Sequence, residues 1–313
     1  MRPLLVVNPN SAGGRTGRVF PQMRRTIERA LGAVDVAMTT RSGHAIDLAE
    51  QGCAEGRELI VAIGGDGTFS EIVNGRMRAG ETAKIETRLG TITQGTGGDF
   101  RKALGLDHRL DRYLDALAVG HERAIDVGKF TYTDRHGKQQ RRYFVNILSV
   151  GMGGLVDRFV AETPKHLGGK AAYLIASARG LAQCERARLK CTITQGDSTS
   201  ERTLTTYVLA ICNGQYFGGG MQVAPMAKVD SGRLEVVSLA GTSKLAFALG
   251  NLRLYDGSHM RDEGTQHFDC TKIRVELESR HADGIIALDV DGEPMQGLPV
   301  DVEIVPKAVM MRL

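Results

Sequence analysis

The chain has 313 residues, 42% of them hydrophobic and 24% charged, which is ordinary globular usage and excludes a disordered or fibrous chain. A net charge of only +4 gives no support to a nucleic-acid-binding protein, although it suits an anionic partner such as a nucleotide or an acidic membrane surface. The cysteines, Cys53, Cys184, Cys191, Cys212 and Cys270, are scattered and never form C-x-x-C, which predicts reduced thiols in a cytoplasmic protein.

The opening "MRPLLVVNPNSAGG" holds a short apolar run that is no signal peptide, and no stretch reaches the roughly 20 apolar residues of a membrane-spanning helix. Any membrane is therefore expected to be met from its surface. "PLLVV" reads as a strand entering the turn-rich "NPNSAGG", followed by a helical pattern with Val19, Met23, Ile27 and Ala30 on one face. "VDVAMTT" alternates as a strand, "HAIDLAEQGCAEG" returns to helical period, and "ELIVAI" is a continuous apolar run of the kind covered on both faces. "FSEIVNGRM" is helical, "LGTIT" a strand, and "DHRLDRYLDALAVG" a helix ending at Gly120. Strand and helix in strict alternation predict a parallel α/β layer over residues 1–126.

Beyond Asp126 the texture changes. "KFTYTDRHGKQQRRYFVNIL" reads as two strands around a polar loop, and "KAAYLIASARGLA" as one interrupting helix. "RLKCTITQ", "TTYVLAIC", "RLEVVSLA", "KIRVELE", "GIIALDVDG" and "VDVEIV" then predict a β-sandwich over residues 127–305. A last strand, within about 306–313, can return to the first domain. The basic loop "DRHGKQQRR" reads as a solvated loop ahead of a lipid-headgroup contact, and Tyr173, Leu174, Ile175 and Leu181 as core ahead of an acyl-chain lining.

The 39 glycines are above average in number and clustered. Glycine-rich turns after parallel strands cradle phosphate, because bare N–H groups point at the oxygens and a helix N-terminus follows. "NPNSAGG" and "GGDG" both fit, and neither is a P-loop or a dinucleotide fingerprint. The plain alternative is a tight turn with Asp66 capping the next helix. A carboxylate beside a phosphate repels it unless a cation intervenes, so Asp66 in such a turn predicts Mg²⁺. Asp99 in "TQGTGGDF" and Asp126 in "AIDVGK" also sit where strands end, and such ends converge on the ligand crevice of an open sheet.

"NPNSAGG", "TTRSGHA", "IGGDGTFSEIVNG", "GTGGDF", "IDVG", "NILSVGMGG", "NGQYFGGGMQVAPMAKVDSGRLEV" and "DVDGEP" together resemble the bacterial diacylglycerol-kinase-like lipid kinases, relatives of sphingosine and ceramide kinases. The likeness runs from Asn8 to Pro294 and implies an N-terminal domain of the NAD kinase/diacylglycerol kinase type with a C-terminal β-sandwich. It implies that Asn8, Asn10, Ser11, Gly64, Gly65, Asp66, Gly67, Thr68 and Glu71 line the ATP phosphates. Thr39, Thr40 and Thr96 would contact the rest of the nucleotide, and Asp66, Asp99 and Asp126 would hold Mg²⁺ through water. Glu293 would accept the proton of the attacking hydroxyl, a role phosphoryl transfer requires, although "DGEP" is equally good turn chemistry. A structural metal is implied at Lys228, Ser231 and Arg233, where a serine hydroxyl replaces the family's carboxylate and makes a poorer ligand. Gln94 and Gly98 replace a usual proline and asparagine.

The expected activity is ATP- and Mg²⁺-dependent phosphorylation of a lipid alcohol in phospholipid biosynthesis, diacylglycerol first, with a sphingoid base, another glycerolipid or an isoprenoid alcohol as further acceptors. NAD kinase is the rival enzyme, and a nucleotide- or lipid-binding regulator without turnover the rival of another class. The expected setting is the cytoplasm with peripheral contact at the inner membrane surface, no nucleic acid, and a homodimer left open.

Overall fold

The computed structural model describes residues 1–151 apart from 83, 96 and 135, residues 185–278 apart from 242, 245, 246, 248 and 249, residues 287–313, and residues 159 and 180. Chain contacts divide it into two units, Met1–Val127 with Pro306–Leu313, and Gly128–Val305.

In the first unit, wholly buried apolar runs form β1 (Leu4–Val7) and β3 (Leu59–Gly64), flanked by β2 (Asp35–Met38) and β4 (Arg88–Thr93). All pair in parallel in the order β2-β1-β3-β4, and Met311 joins in parallel beside Leu89. The amphipathic helices α1 (Arg15–Leu31) and α5 (Leu110–Val119) bury Phe20, Met23, Ile27, Leu114 and Leu117 against Leu5, Val7, Val61 and Ile63. The alternate residues of the same strands serve the other layer. There α2 (His44–Ala54) lies over Leu4 and Ile60, so close that a Cβ at Gly52 would meet both side chains. The helix α3 (Asp66–Gly80) packs on α2 through Gly75, where a Cβ would lie 2.8 Å from the Ala49 Cβ and 2.9 Å from the Glu50 nitrogen. Each aliphatic chain buried this way contributes about 1.5–3 kcal/mol, so continuous apolar strands fix where both helix layers lie.

The chain leaves this unit within β5 (Glu122–Thr133) and returns within β16 (Val300–Arg312). In the second unit β5 pairs with β6 (Gln139–Phe144). A second antiparallel run places β13 (Lys272–Leu277) between β16 and β8 (Ala187–Gln195), with β9 (Ser198–Thr206) outermost. A six-stranded antiparallel sheet has the order β12-β11-β10-β7-β14-β15, formed by Thr265–Cys270, Leu234–Leu239, Val208–Cys212, Ile147–Gly151, Ala287–Val290 and Glu293–Gln296. Phe130, Phe144, Leu148, Leu189, Leu209, Val236, Ile273, Leu288 and Val302 form one core shared by these strands. The opposite face of the six-stranded sheet is also covered, because Val208, Ala210, Cys212 and Val237 pack with Val223, Phe247 and Leu254.

The sequence expectations for fold class hold: a parallel α/β unit and an antiparallel β-sandwich. Two details differ. The strands β9, β12 and β15 carry no expected label. β9 and β12 end their sheets, and most of their side chains are exposed or half-buried, so no apolar alternation marks them. "VDVEIV" and "AVMMRL" form one strand through Pro306, with Lys307 in the left-handed region at φ 50°. The helix expected at "KAAYLIASARGLA" lies outside the described residues, except Gly180.

Candidate functional site

The carboxyl ends of the parallel strands are brought level by main-chain bonds: Asn8 N–H donates to Ile63 O at 2.9 Å, Thr39 N–H to Val7 O at 2.8 Å, and Gln94 N–H to Gly64 O at 2.7 Å. The turns that follow contain most of the predicted nucleotide residues. After β1, Asn8 Oδ1 accepts the Asn10 N–H at 3.1 Å and Asn8 Nδ2 donates to the Thr68 hydroxyl at 3.1 Å, tying the first turn to the start of α3. Ser11 lies beside Gly65, 3.7 Å from the place a Cβ would occupy there. Gly64 is obligatory, since a Cβ would stand 2.7 Å from the Thr68 Cβ. A Cβ at Gly95 would lie 3.5 Å from Gly65 Cα, so bare backbone of the second and third turns is in close approach.

Asp66 opens α3, and its carboxylate reaches out of its own helix. Its Oδ2 accepts the main-chain N–H of Asp99 at 2.8 Å. Asp99, buried at the start of the short helix α4 (Asp99–Ala103), pairs through Oδ1 with Lys102 Nζ at 2.9 Å. A Cβ at Gly97 would lie 4.0 Å from Asp66 Oδ2 and 3.9 Å from Asp99 Oδ2. A side chain at 97 would thus stand in van der Waals contact with an oxygen of each carboxylate, and hard oxygen donors of this kind suit Mg²⁺ with part of its water shell. Beneath, Tyr113 is buried and its phenol stands above its ordinary value. Burial is the main cause, the bond with Thr93 and the Arg101 charge oppose it, and Asp66 adds to it.

Asp126 departs from the expected trio. It is fully buried, and its Oδ1 accepts the N–H of Lys307 at 2.8 Å. The left-handed kink at Lys307 turns that N–H into the protein, where it needs an acceptor. Among the described residues, no group of three or more His, Cys, Asp or Glu is placed to hold a metal. Asp66 and Asp99 are therefore the carboxylates brought together at the strand ends, and Asp126 anchors the returning strand.

Glu71 is engaged at the turn that joins β2 to α2. Its two oxygens accept the N–H groups of Gly43 at 2.8 Å and Ala45 at 3.1 Å, at the N-terminus of α2. Thr39 is buried, and the N–H and hydroxyl of Thr40 both lie 3.1 Å from His44 Nδ1. Thr96 lies outside the described residues.

In the second unit, β14 and β15 meet in a two-residue hairpin with Asp291 at φ 52° and Gly292 at φ 86°, which puts Glu293 first on β15. "DGEP" is therefore a turn as its composition suggests, and the turn presents Glu293. Its carboxylate pairs with Arg142 at 2.9 Å. The loop expected to hold a structural metal closes on its own groups. Ser231 N–H donates to Lys228 O at 3.1 Å, Ser231 Oγ donates to Arg233 O at 3.2 Å, and the Arg233 guanidinium pairs with Asp269. One hydroxyl and two carbonyls make a poorer donor set for a dication than one that includes a carboxylate.

Sequence reasoning missed Lys102, Tyr113, Arg142 and Asp291. Lys102 was within reach, since it stands one helical turn after Asp99. Arg142 carried no signal, because its partner is 151 residues away.

Two family profiles match this chain: "Diacylglycerol kinase catalytic domain" over residues 2–130, and "YegS C-terminal NAD kinase beta sandwich-like domain" over residues 146–312. A protein of Chromohalobacter salexigens named "Probable lipid kinase YegS-like" is 30% identical, covering 93% of this chain and 86% of its own length. "Probable lipid kinase YegS" of Salmonella gallinarum is 28% identical, over 90% and 86%. A crystal structure described as a diacylglycerol kinase from Bacillus anthracis str. Sterne superposes with a TM-score of 0.69 at 20% identity, covering 99% of this chain and 96% of its own. Yeast NADH kinase superposes at 0.51 with 12% identity, over 99% and 82%. Both structures share the fold.

Proposed function

The chain belongs to the bacterial lipid kinases built on a diacylglycerol kinase catalytic domain, and we propose that it transfers the γ-phosphoryl group of ATP to the hydroxyl of a lipid alcohol, with diacylglycerol the first acceptor to test. The observation that carries this is the tie between Asp66 and Asp99, with an oxygen of each carboxylate about equally near Gly97 beside the glycine turns.

The bare main chain at Gly64, Gly65 and Gly67, with Asn8, Asn10, Ser11 and Thr68, receives the phosphates, whose charge is favoured at the α3 N-terminus. Mg²⁺, held through Asp66 and Asp99, would supply neutralisation of the charge spread over the transferring group. Lys102 holds the Asp99 carboxylate in place. Glu293 takes the proton of the acceptor hydroxyl as its oxygen bonds to the γ-phosphorus and the bond to the β–γ bridging oxygen breaks, releasing ADP.

An acceptor of this class resides in a bilayer, so the protein works at the membrane surface; no described helix is long and apolar enough to cross one. The unpaired Cys53, Cys191, Cys212 and Cys270 support a reducing compartment, the cytoplasm. Labelled ATP is incubated with diacylglycerol, sphingoid base, monoacylglycerol and isoprenoid alcohol in detergent micelles, with NAD in parallel. Labelled lipid that disappears in Asp66→Ala is the expected result. Labelled NADP in place of lipid, or ATP binding with no transfer to any acceptor, overturns it.

A further inference from the structure

Beyond the pairing of β14 with β7, the turn that presents Glu293 is fastened to residues 142–147. Both oxygens of Asp291 are engaged there: Oδ2 accepts the Val145 N–H at 2.9 Å, and Oδ1 accepts those of Asn146 at 3.0 Å and Ile147 at 3.1 Å. Asp289 Oδ1 closes the turn by accepting the Gly292 N–H at 2.9 Å. Three residues before Val145, on β6, the Arg142 guanidinium spans the first turn of β15. Its Nη2 donates to Glu293 Oε2 at 2.9 Å, and its Nη1 lies 3.6 Å from Met295 Sδ. Glu293 and Arg142 side chains are 33% and 24% exposed, too buried to reorient as freely as a surface pair.

We infer that Arg142 is a positioning residue for Glu293: with the Asp291 clamp fixing the backbone, its guanidinium holds the Glu293 carboxylate in one orientation for the acceptor hydroxyl. This rests on the proposed role of Glu293 as proton acceptor. Placement by a flexible glutamate alone would leave the carboxylate spread over several rotamers, each misaimed conformer lowering the reactive fraction. A planar guanidinium limits that spread with a directed, charge-assisted bond. The pair also satisfies Glu293 through one oxygen, which leaves the carboxylate's remaining acceptor capacity for a hydroxyl proton. Tyr132 and Asp134, on and just after β5, belong to the same group of charges, since the Tyr132 phenol is raised by burial, lowered by Arg142 and raised again by Asp134 and Glu293.

Steady-state kinetics of the full chain, with Mg-ATP and the lipid alcohol turned over in the micelle panel, separate positioning from simple support of the fold. Glu293→Gln is expected to lose about a hundredfold or more in kcat. Arg142→Met, folded by thermal unfolding and circular dichroism, is expected to lose about tenfold or more in kcat with KM for ATP within about twofold. Arg142→Lys keeps a cation without the fork and is expected to regain part of that loss. If Glu293→Gln is inactive while folded Arg142→Met keeps the kcat of the parent, the brace is overturned and the base stands. If Arg142→Lys is no better than Arg142→Met, a held orientation is again rejected. Full activity of Glu293→Gln, or no turnover with any lipid of the panel, overturns the base and the brace with it.

Discussion

The Asp66 carboxylate accepts the main-chain N–H of Asp99 at 2.8 Å, so the turn after β3 and the loop after β4 are held by one side chain. The same oxygen would lie 4.0 Å from a Cβ at Gly97. On the proposed role of Asp66, structural and chemical duties coincide, and two substitutions separate them. Asp66→Asn keeps an oxygen for the Asp99 N–H and removes the charge; Asp66→Ala removes both. Both are expected to lose about a hundredfold or more in kcat, since metal-borne charge stabilisation is worth several kcal/mol. Only Asp66→Ala should add a stability loss of about 1 kcal/mol for the orphaned N–H. Kinetics beside denaturant unfolding check this, and parental kcat in Asp66→Asn would reject the chemical duty.

Glu71 is the N-terminal clamp of α2. Two N–H groups, of Gly43 and Ala45, end on its carboxylate, where the helix dipole favours negative charge. Gly43, at φ 77°, offers no side chain to cap the helix itself. Glu71→Ala is expected to lower stability by about 2 kcal/mol and Glu71→Gln by about half of that, because the neutral amide retains one acceptor. The midpoint of urea unfolding should fall with an unchanged slope. Full stability of Glu71→Ala would show that water satisfies those groups.

Much of this was legible in the sequence, and the failures share a cause. Buried parallel strands announce themselves as "LLVV" and "LIVAIG", because covering both faces demands unbroken apolar runs. The glycine turns announce the strand ends, because only a residue without Cβ fits Gly64 against Thr68. What local pattern cannot carry is a partner far along the chain. Asp126 looks like a metal ligand until Lys307, 181 residues later, donates to it. Glu71 sits in the phosphate motif and yet serves α2, 26 to 28 residues earlier. Edge strands such as β9 fail for a different reason, since a strand with one neighbour has little apolar surface to alternate.

Gly97 does not occupy the left-handed region, so its lack of a side chain answers to space and not to backbone conformation. Valine there would add methyl groups beyond a Cβ that already stands 4.0 Å from Asp66 Oδ2 and 3.9 Å from Asp99 Oδ2. The Mg²⁺ concentration giving half-maximal turnover is expected to rise about tenfold in Gly97→Val, with a smaller rise in Gly97→Ala, as for other disturbed metal surroundings. A titration of activity against MgCl₂ reads this directly. An unchanged Mg²⁺ requirement in a folded Gly97→Val chain would remove the metal from the neighbourhood of Gly97.

The buried thiols give a prediction independent of catalysis. Burial pushes Cys270 from its ordinary 9.0 up to about 12 and Cys191 up to about 11, and raises Cys53 and Cys212 as well. The thiolate is the reactive form, so these groups should resist an aromatic disulfide reagent at pH 8 until the chain unfolds. In a Cys184→Ala background, the native protein should react negligibly, and all the remaining cysteines should react in denaturant. The linkage has a definite sign. Above pH 9 unfolded thiols ionise while native ones keep their protons, so the unfolded state binds fewer protons. Stability is therefore whole below pH 9 and falls as pH rises toward 11–12. Lysines and tyrosines titrate in the same window, and Cys270→Ala controls for them: its unfolding midpoint should fall less between pH 8 and 10.5. Equal slopes in the two chains would mean that Cys270 keeps an ordinary thiol in the fold.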